Sequence, residues 1–185
     1  MIAVLAEDKS DADTLVVIIR ALLGNGIKIA HKGFHGCGEL CKKGAVHIEL
    51  FKAKGAKKFI VCHDSDRSIP SEVETKVRRE IIIPSGVNAD ACIVVPVQEI
   101  EAWIIADEKA ISRVIPSFQL NPVAHPETRE SPKEWLENQS RVRTVRPLYS
   151  HAVHNPRVAA HMDYEKVAMK CPSFRPLMAF VRACA

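Results

Sequence analysis

The stretch Ile2-Ala3-Val4-Leu5-Ala6-Glu7-Asp8-Lys9-Ser10-Asp11 decides the fold, because a short apolar run ends directly in carboxylates. Five successive apolar residues suit a strand that is buried on both faces of a parallel sheet. Ser10 is predicted to cap the helix that follows, with Asp13 in its first turn. Glycines at positions 24 and 26 end this helix, so the chain opens as a βαβ unit.

The same alternation continues to about residue 115. Apolar runs predict further strands at 27–30, 58–63 and 91–95, and helical spacing predicts helices at 38–54 and 71–82. Strands that alternate with helices indicate an α/β fold, with a mostly parallel sheet of about four strands and helices on both faces. Residues 1–115 are therefore predicted to form the core domain.

In the remaining residues, 116–185, the alternation of strands and helices stops. Four prolines between positions 116 and 132 interrupt the chain, and helical patterns follow at 131–136, 155–170 and 173–183. We expect a Pro-rich connection and a helical C-terminal extension that packs on the core and has no core of its own.

Composition limits the class of protein. The 185 residues are 47% hydrophobic and 26% charged, the balance of a globular protein with a sizeable core. The longest apolar runs fall far short of the roughly 20 residues that a membrane helix needs. No basic segment precedes the first strand, so the sequence predicts a cytoplasmic protein without a signal peptide. His31, His35, Cys37 and Cys41 are close in sequence but match no common zinc spacing.

The net charge of +4 comes from the C-terminal third. Residues 1–119 hold 16 basic and 16 acidic side chains, whereas residues 120–185 hold 10 and 6. The excess centres on the strip 141–146, where Arg141, Arg143 and Arg146 stand close together. Such a strip suits contact with phosphates, and it equally suits a solvated surface.

Carboxylates follow three of the predicted strands. Glu7 ends the first strand, Asp64 ends the third, and Glu99 and Glu101 come soon after the fourth. The carboxyl ends of parallel strands meet at one edge, where ligands of doubly wound folds bind. Carboxylates gathered there raise one another's pKa unless a cation neutralises them, so the sequence predicts a hard divalent metal held by oxygen ligands.

Other acids extend this set. Asp66 would share a side with Asp64 if strand geometry continues through both residues. Asp11 would lie one helical turn above the same crevice. Helix geometry separates Glu99 from Glu101 by about 200°, which favours Glu101 as the inward residue. Helix capping or a contact with the helix dipole for Asp11 and Glu101, and turn chemistry for residues 64–66, are the ordinary alternatives.

Three segments together resemble the TOPRIM (topoisomerase–primase) domain. Glu7 to Asp11 looks like its first motif, and Asp64-Ser65-Asp66 looks like its Asp-x-Asp motif. Ile100-Glu101-Ala102-Trp103 with Ile104-Ile105-Ala106-Asp107 resembles the signature of a small stand-alone TOPRIM-like family, and Cys171-Pro172-Ser173-Phe174 fits it too. Members of that family are often encoded beside AAA or ABC-type ATPases in bacterial antiphage defence loci, and are related to OLD-type nucleases.

The resemblance implies a nuclease that uses Mg²⁺ or Mn²⁺ and acts on nucleic acid beside an ATPase partner. Its metal ligands would be drawn from six carboxylates, namely Glu7, Asp11, Asp64, Asp66, Glu99 and Glu101. Glu7 would bind metal or act as general base, and Lys133 would neutralise the scissile phosphate. A homodimer is a further expectation.

Two positions depart from the family pattern. Asp8 replaces the usual glycine after the first glutamate, which adds charge and removes a flexible turn. Tyr149-Ser150-His151 replaces Tyr-x-Lys, so His151 or Lys133 would have to supply the phosphate contact. These departures keep open a non-catalytic subunit that regulates an ATPase. The chain lacks a Gly-x-x-x-x-Gly-Lys-Ser/Thr loop, so ATP hydrolysis would come from another polypeptide.

A receiver-like phosphoacceptor domain is the other alternative. It would use Glu7 and Asp8 with Asp64 as phosphoacceptor, but it gives no role to Asp66 or Glu101. Lys109 also lacks the proline that usually follows the receiver lysine.

Overall fold

A computed structural model describes residues 1–141 and 146–185. Four strands, β1 to β4, form one sheet, and ten α-helices, α1 to α10, surround it in the described part of the chain. The strands are β1 Ile2–Ala6, β2 Ile29–Gly33, β3 Lys58–Cys62 and β4 Ala91–Val94. The helices are α1 Lys9–Leu23, α2 Cys37–Ala53, α3 Pro70–Val77, α4 Ile83–Ser85, α5 Glu101–Ile105, α6 Glu108–Val114, α7 Pro132–Gln139, α8 His151–Ala159, α9 Tyr164–Lys170 and α10 Arg175–Arg182.

The sheet is parallel throughout, with the order β2-β1-β3-β4. This confirms the predicted α/β fold with a four-stranded parallel sheet and a helical C-terminal part. From β1 the chain first crosses to β2 on one side and then to β3 on the other. A crevice therefore opens between the carboxyl ends of β1 and β3.

Alternate residues of β1 face two different clusters. Ile2, Val4 and Ala6 pack in a cluster with α1 and the C-terminal helices, while Ala3 and Leu5 pack in a second cluster with α2 and α3. Helices therefore cover both faces, which explains why the strand has no polar position. The C-terminal helices share their core with α1. No helix of the described residues has the length and apolar character that crossing a membrane requires.

Three predicted boundaries are wrong. The second strand is Ile29–Gly33 and not 27–30, because β1 pairs with it from Ile2–Ile29 to Ala6–Gly33. The helix predicted at 71–82 continues past a π-helical turn, Arg78–Ile82, into α4. The helix predicted at 155–170 is two helices, because the Asp163 carboxylate caps a new start at Tyr164. Within the basic strip, residues 142–145 lie outside the described residues.

Gly33 ends β2 where the chain presses on the start of α1. A Cβ at Gly33 would lie 2.3 Å from the backbone oxygen of Asp8. Gly33→Ala is therefore expected to destabilise the protein by about 1–3 kcal/mol, since the backbone must shift to accept the methyl group. Urea unfolding measures the change, and Gly26→Ala is the matched control because nothing lies within 4 Å of its Cβ. Equal stability of the two variants would contradict this close approach.

Candidate metal and phosphodiester site

Glu7 and Asp64 meet in the crevice between β1 and β3. One oxygen of Glu7, Oε1, accepts a hydrogen bond from the backbone N–H of Asp64 at 2.9 Å. The same oxygen lies 2.8 Å from Nδ1 of His63. The first acid of the sequence is thus joined directly to the third strand, as the convergence of strand ends predicts.

His63 is a buried residue that holds Glu7, a contact that sequence reasoning missed. Burial lowers its pKa, but the hydrogen bond and charge of Glu7 outweigh burial, so the His63 pKa is raised overall. Its other ring nitrogen, Nε2, is buried and has no hydrogen-bond partner among the described residues. The contact with Glu7 places His63 at the edge of the site.

Asp64 has a carboxylate oxygen that lacks a hydrogen-bond partner among the described residues. Its Oδ1 is buried and has no hydrogen-bond partner in the part of the chain that the structure describes. Burial raises its pKa well above the usual range, and the charges of four neighbouring acids raise it further. Those acids are Asp11, Glu101, Glu7 and Asp66, in decreasing order of effect. The carboxylates therefore act on one another electrostatically in one place.

Asp11 joins them from the first turn of α1. Its side chain is buried, and burial raises its pKa well above the ordinary value. Asp8, Glu101 and Glu7 add to this rise, whereas Lys133 opposes it. Asp11 is not the cap of α1, since a different residue has that role, but it is an acid of the first turn, as the helix-dipole alternative expects.

Asp8 is that cap. It lies in extended conformation before Lys9, and its carboxylate accepts a hydrogen bond from the Asp11 N–H at 2.9 Å. The prediction that Ser10 caps the helix is wrong, because both the cap and the first residue of α1 lie two positions earlier, at Asp8 and Lys9. Ser10 instead donates its hydroxyl to the backbone oxygen of His151 at 3.0 Å. The acid that replaces glycine in the resembling motif therefore has a structural role.

Glu101 is the first residue of α5, and only 3% of its surface is exposed. Burial raises its pKa to about 7; Asn155 lowers it through a hydrogen bond, and the charge of Glu99 raises it. Glu99 lies before the helix, where its Oε2 accepts a hydrogen bond from the Lys133 N–H at 2.8 Å. The inward choice of Glu101 agrees with this geometry, although the two acids separate because one is outside the helix.

Lys133 is the cation of this group. Burial lowers its pKa, but Glu101, Glu99, Asp8 and Asp11 together raise it above the ordinary value. A half-buried lysine among four acids has its charge fixed by them. The residue selected from sequence to meet a phosphate thus lies beside the carboxylates.

Asp66 occupies a less central position. Its φ is 47°, so extended geometry does not continue from Asp64, and the prediction that both side chains share a strand face is wrong. The Asp66 N–H donates to the Gln98 oxygen at 2.9 Å, and the Gln98 N–H donates to Ser65 Oγ at 2.8 Å. Gln98 also has a positive φ, of 63°. Two strained residues therefore lock the loops after β3 and β4 together.

Asn155 and Tyr149 form a buried relay that sequence reasoning missed. Asn155 Nδ2 donates to Glu101 Oε1 at 3.0 Å, and its Oδ1 accepts from the Tyr149 hydroxyl. Asn155 is fully buried on α8, which lies far from Glu101 in sequence. The one sequence signal for this role is that Asn155 is a polar residue within a segment predicted to be helical. The C-terminal helices therefore complete the site.

Removing the Asn155 amide should leave Glu101 without its donor. Asn155→Ala is expected to cost about 1–3 kcal/mol of stability, since a buried carboxyl and the Tyr149 hydroxyl both lose a partner. Asn138→Ala, an exposed change on α7, is the matched control and should stay within about 0.5 kcal/mol. Urea unfolding of both variants provides the measurement, and an Asn155→Ala protein as stable as the control would contradict the relay.

The other motif segments have structural partners. Trp103 is buried and donates its indole N–H to Ser173 Oγ at 2.9 Å, and its ring meets Phe174 edge-on at 5.0 Å. Asp107 accepts hydrogen bonds from the Asp163 N–H and from Lys166. These contacts fix α5 and α6 against the C-terminal helices. Trp103 and Asp107 therefore have a structural role, which is to hold the helix that carries Glu101 in place.

All oxygen ligands of the predicted set come from side chains at one sheet edge, which suits Mg²⁺ or Mn²⁺ better than zinc. As the side chains stand, no three His, Cys, Asp or Glu residues within 1–141 and 146–185 are arranged to hold a metal ion. Asp64 Oδ1 is nevertheless buried without a partner among these residues, and burial raises the pKa values of Asp64 and Asp11 well above their ordinary value. His31, from the zinc alternative, pairs with Asp13 at 3.1 Å.

Comparison with known proteins gives one match. No curated protein and no solved structure matches the chain. The sequence model described as Domain of unknown function (DUF4276) matches residues 16–182. The matched range contains Asp64, Glu101, Lys133 and Asn155, and it begins after Glu7 and Asp11. With most of its length matched, the chain belongs to the DUF4276 family.

Proposed function

We propose that this protein is a divalent-metal-dependent nuclease of TOPRIM type that hydrolyses phosphodiesters of DNA or RNA. One observation carries the proposal: acids from three strand ends share a buried crevice with raised pKa values, and Asp64 Oδ1 lacks a partner there. A fold gains no stability from such repulsion, so a bound cation is the simplest reason for it.

The chemistry of these residues suits a hard divalent metal, because all of them supply oxygen ligands. No three of them within the described residues are arranged to hold an ion as they stand, so their side chains would turn toward the metal on binding. Asp64, Asp11 and Glu101 would hold it, with Glu7 beside them and Glu99 and Asp66 at the margin. When bound, one or two Mg²⁺ or Mn²⁺ ions supply charge stabilisation to the attacking and leaving oxygens of a phosphodiester.

The chain's own groups have definite tasks in this proposal. Glu7 is oriented by the Asp64 N–H and by His63 through one oxygen, which leaves its other oxygen to accept a proton from the attacking water. Lys133 neutralises the phosphate, and Asn155 orients Glu101. A burial that excludes water strengthens each of these interactions.

The lysine geometry favours this reading over a phosphoacceptor domain. Lys109, the residue a receiver-like domain would use, is exposed on α6. Lys133 instead lies among the acids of the crevice, and the charges of Glu101 and Glu99 raise its pKa. Labelling of Asp64 by acetyl phosphate would support the phosphoacceptor and count against the nuclease.

The proposal extends to context. We propose a cytoplasmic protein that works beside an AAA or ABC-type ATPase, as the resemblance implies, with a homodimer as its own assembly. Calorimetry would distinguish a non-catalytic subunit of such a complex, because the nuclease must bind Mn²⁺ and therefore give a measurable heat of binding.

Cleavage assays test the function directly. Labelled single- and double-stranded DNA and tRNA are incubated with Mg²⁺ or Mn²⁺ and the wild-type protein, Glu7→Ala, Asp64→Ala or Glu72→Ala. Glu72 is exposed on α3 and serves as the control. We expect cleavage by wild type and Glu72→Ala only. Equal activity of all four proteins, or none with any substrate, would overturn the proposal.

A further inference from the structure

A groove of about 560 Å³ opens beside the acidic crevice, at the carboxyl ends of β1 and β2. It adjoins the crevice through Asp8, whose charge acts on both Asp11 and Lys133. Its walls come from the start of α1, the end of β2 and the start of α8.

Hydrogen bonds tie the groove to the proposed general base. The Gly36 N–H donates to the backbone oxygen of Glu7 at 2.9 Å, and the Phe34 N–H donates to Ala6 at 3.0 Å. On the opposite wall, Ser10 binds the backbone oxygen of His151. The groove and Glu7 therefore share one backbone frame, so a molecule bound in the groove has a fixed position relative to the crevice.

The lining is basic, in contrast to the crevice. Lys32 lies over the Phe34 ring, 5.6 Å from its centroid, and forms no ion pair with a described carboxylate. His35 is exposed at the rim. His151 Nδ1 is buried without a hydrogen-bond partner among the described residues.

The other polar side chains of the lining already have partners. Lys9 and His31 both pair with Asp13, at 2.5 Å and 3.1 Å. The carboxylate of Asp8 is engaged as the cap of α1. Donors without acceptors thus remain at Lys32, His35 and His151, and an anion would satisfy them.

We infer that this groove binds the phosphate backbone of a nucleic-acid strand, at a phosphate next to the one held in the acidic crevice. Lys32 supplies the charge, and His35 and His151 donate hydrogen bonds. The inference rests on the proposed function for the identity of the strand.

Binding of fluorescein-labelled 20-nucleotide DNA and RNA single strands tests the inference. Anisotropy is measured in Ca²⁺ at several KCl concentrations, with wild type and Lys32→Ala/His35→Ala. Lys54→Ala/His161→Ala removes the same two residue types from exposed positions elsewhere and is the matched control. We expect about tenfold weaker binding by the groove variant and a salt slope shallower by about 0.7, the share of one phosphate contact on a single strand.

The outcomes separate the two proposals. Unchanged affinity and salt slope in the groove variant, with wild-type cleavage intact, would overturn the groove and leave the nuclease standing. Weaker binding by the groove variant, with no cleavage by wild type, would support the groove and overturn the nuclease. Equal weakening in the control, or no binding by the wild-type protein, would overturn the groove.

Discussion

The Asp64→Asn variant is expected to be more stable than the wild-type protein without metal at pH 8, although it should lose nuclease activity. An amide keeps the shape of the side chain and removes a charge that Asp11, Glu101 and Glu7 repel. Relief of this repulsion should add about 1 kcal/mol, which for a chain of this length raises the melting temperature by about 2–4 °C.

The response to metal should change in the opposite direction. Mn²⁺ at 100 times its Kd stabilises a folded protein by about 2.7 kcal/mol, so the wild-type melting temperature should rise with Mn²⁺. Asp64→Asn should show little of this rise, because it lacks the central ligand. The wild-type protein is then the active but less stable of the two without metal, a relation between activity and stability that is common at functional sites.

Thermal unfolding in EDTA and in Mn²⁺ measures both effects. Asp90→Asn is the control, since Asp90 is an exposed acid that pairs with Lys58 at a distance from the crevice. It should leave both melting temperatures nearly unchanged. If Asp64→Asn were less stable than wild type and kept the full Mn²⁺ response, neither the repulsion nor the metal site could be correct.

Glu101 should make the metal-free protein less stable as pH rises from about 5 to 7. Its pKa is about 7 in the folded protein, against an ordinary value of 4.5. Between these values the folded state binds more protons than the unfolded state, so stability is fully present below pH 4.5 and falls toward pH 7. The slope for one group is about 1.4 kcal/mol per pH unit.

Glu101→Gln should flatten this decline. The amide oxygen can still accept the Asn155 hydrogen bond, so the relay stays intact while the titrating group is removed. The raised pKa of His63 also makes the protein less stable as pH rises, whereas the lowered pKa of His154 makes it more stable. The difference between wild type and Glu101→Gln cancels both histidines, and it reports Glu101 together with the effect of its charge on the pKa values of Asp64 and Asp11.

Urea unfolding at pH 5, 6, 7 and 8 in EDTA measures the difference, with Glu72→Gln as the exposed control. Mn²⁺ should restore the most stability to the wild-type protein at pH 8, where the carboxylates are ionised and free to bind it. Parallel stability curves for wild type and Glu101→Gln would show that the Glu101 pKa is not raised by its burial.

Several features of the fold follow from local sequence. The all-apolar run 2–6 predicts a strand buried on both faces, and β1 is such a strand. Helical spacing after it predicts α1, and the alternation along the first 115 residues predicts the parallel sheet. These predictions succeed because strand and helix periodicities act over short distances. Details of helix starts were less secure, as the choice of Ser10 over Asp8 illustrates.

The site divides in the same way. Carboxylates after β1, β3 and β4 can be read from the residues alone, and they are expected to meet because parallel strands bring their carboxyl ends to one edge. Three other features appear only in the folded protein: Asp66 is exposed, His63 holds Glu7, and Asn155 reaches Glu101 from the C-terminal helices. The physical reason is that burial and hydrogen-bond partners depend on packing between distant segments, and no local pattern in the chain encodes them.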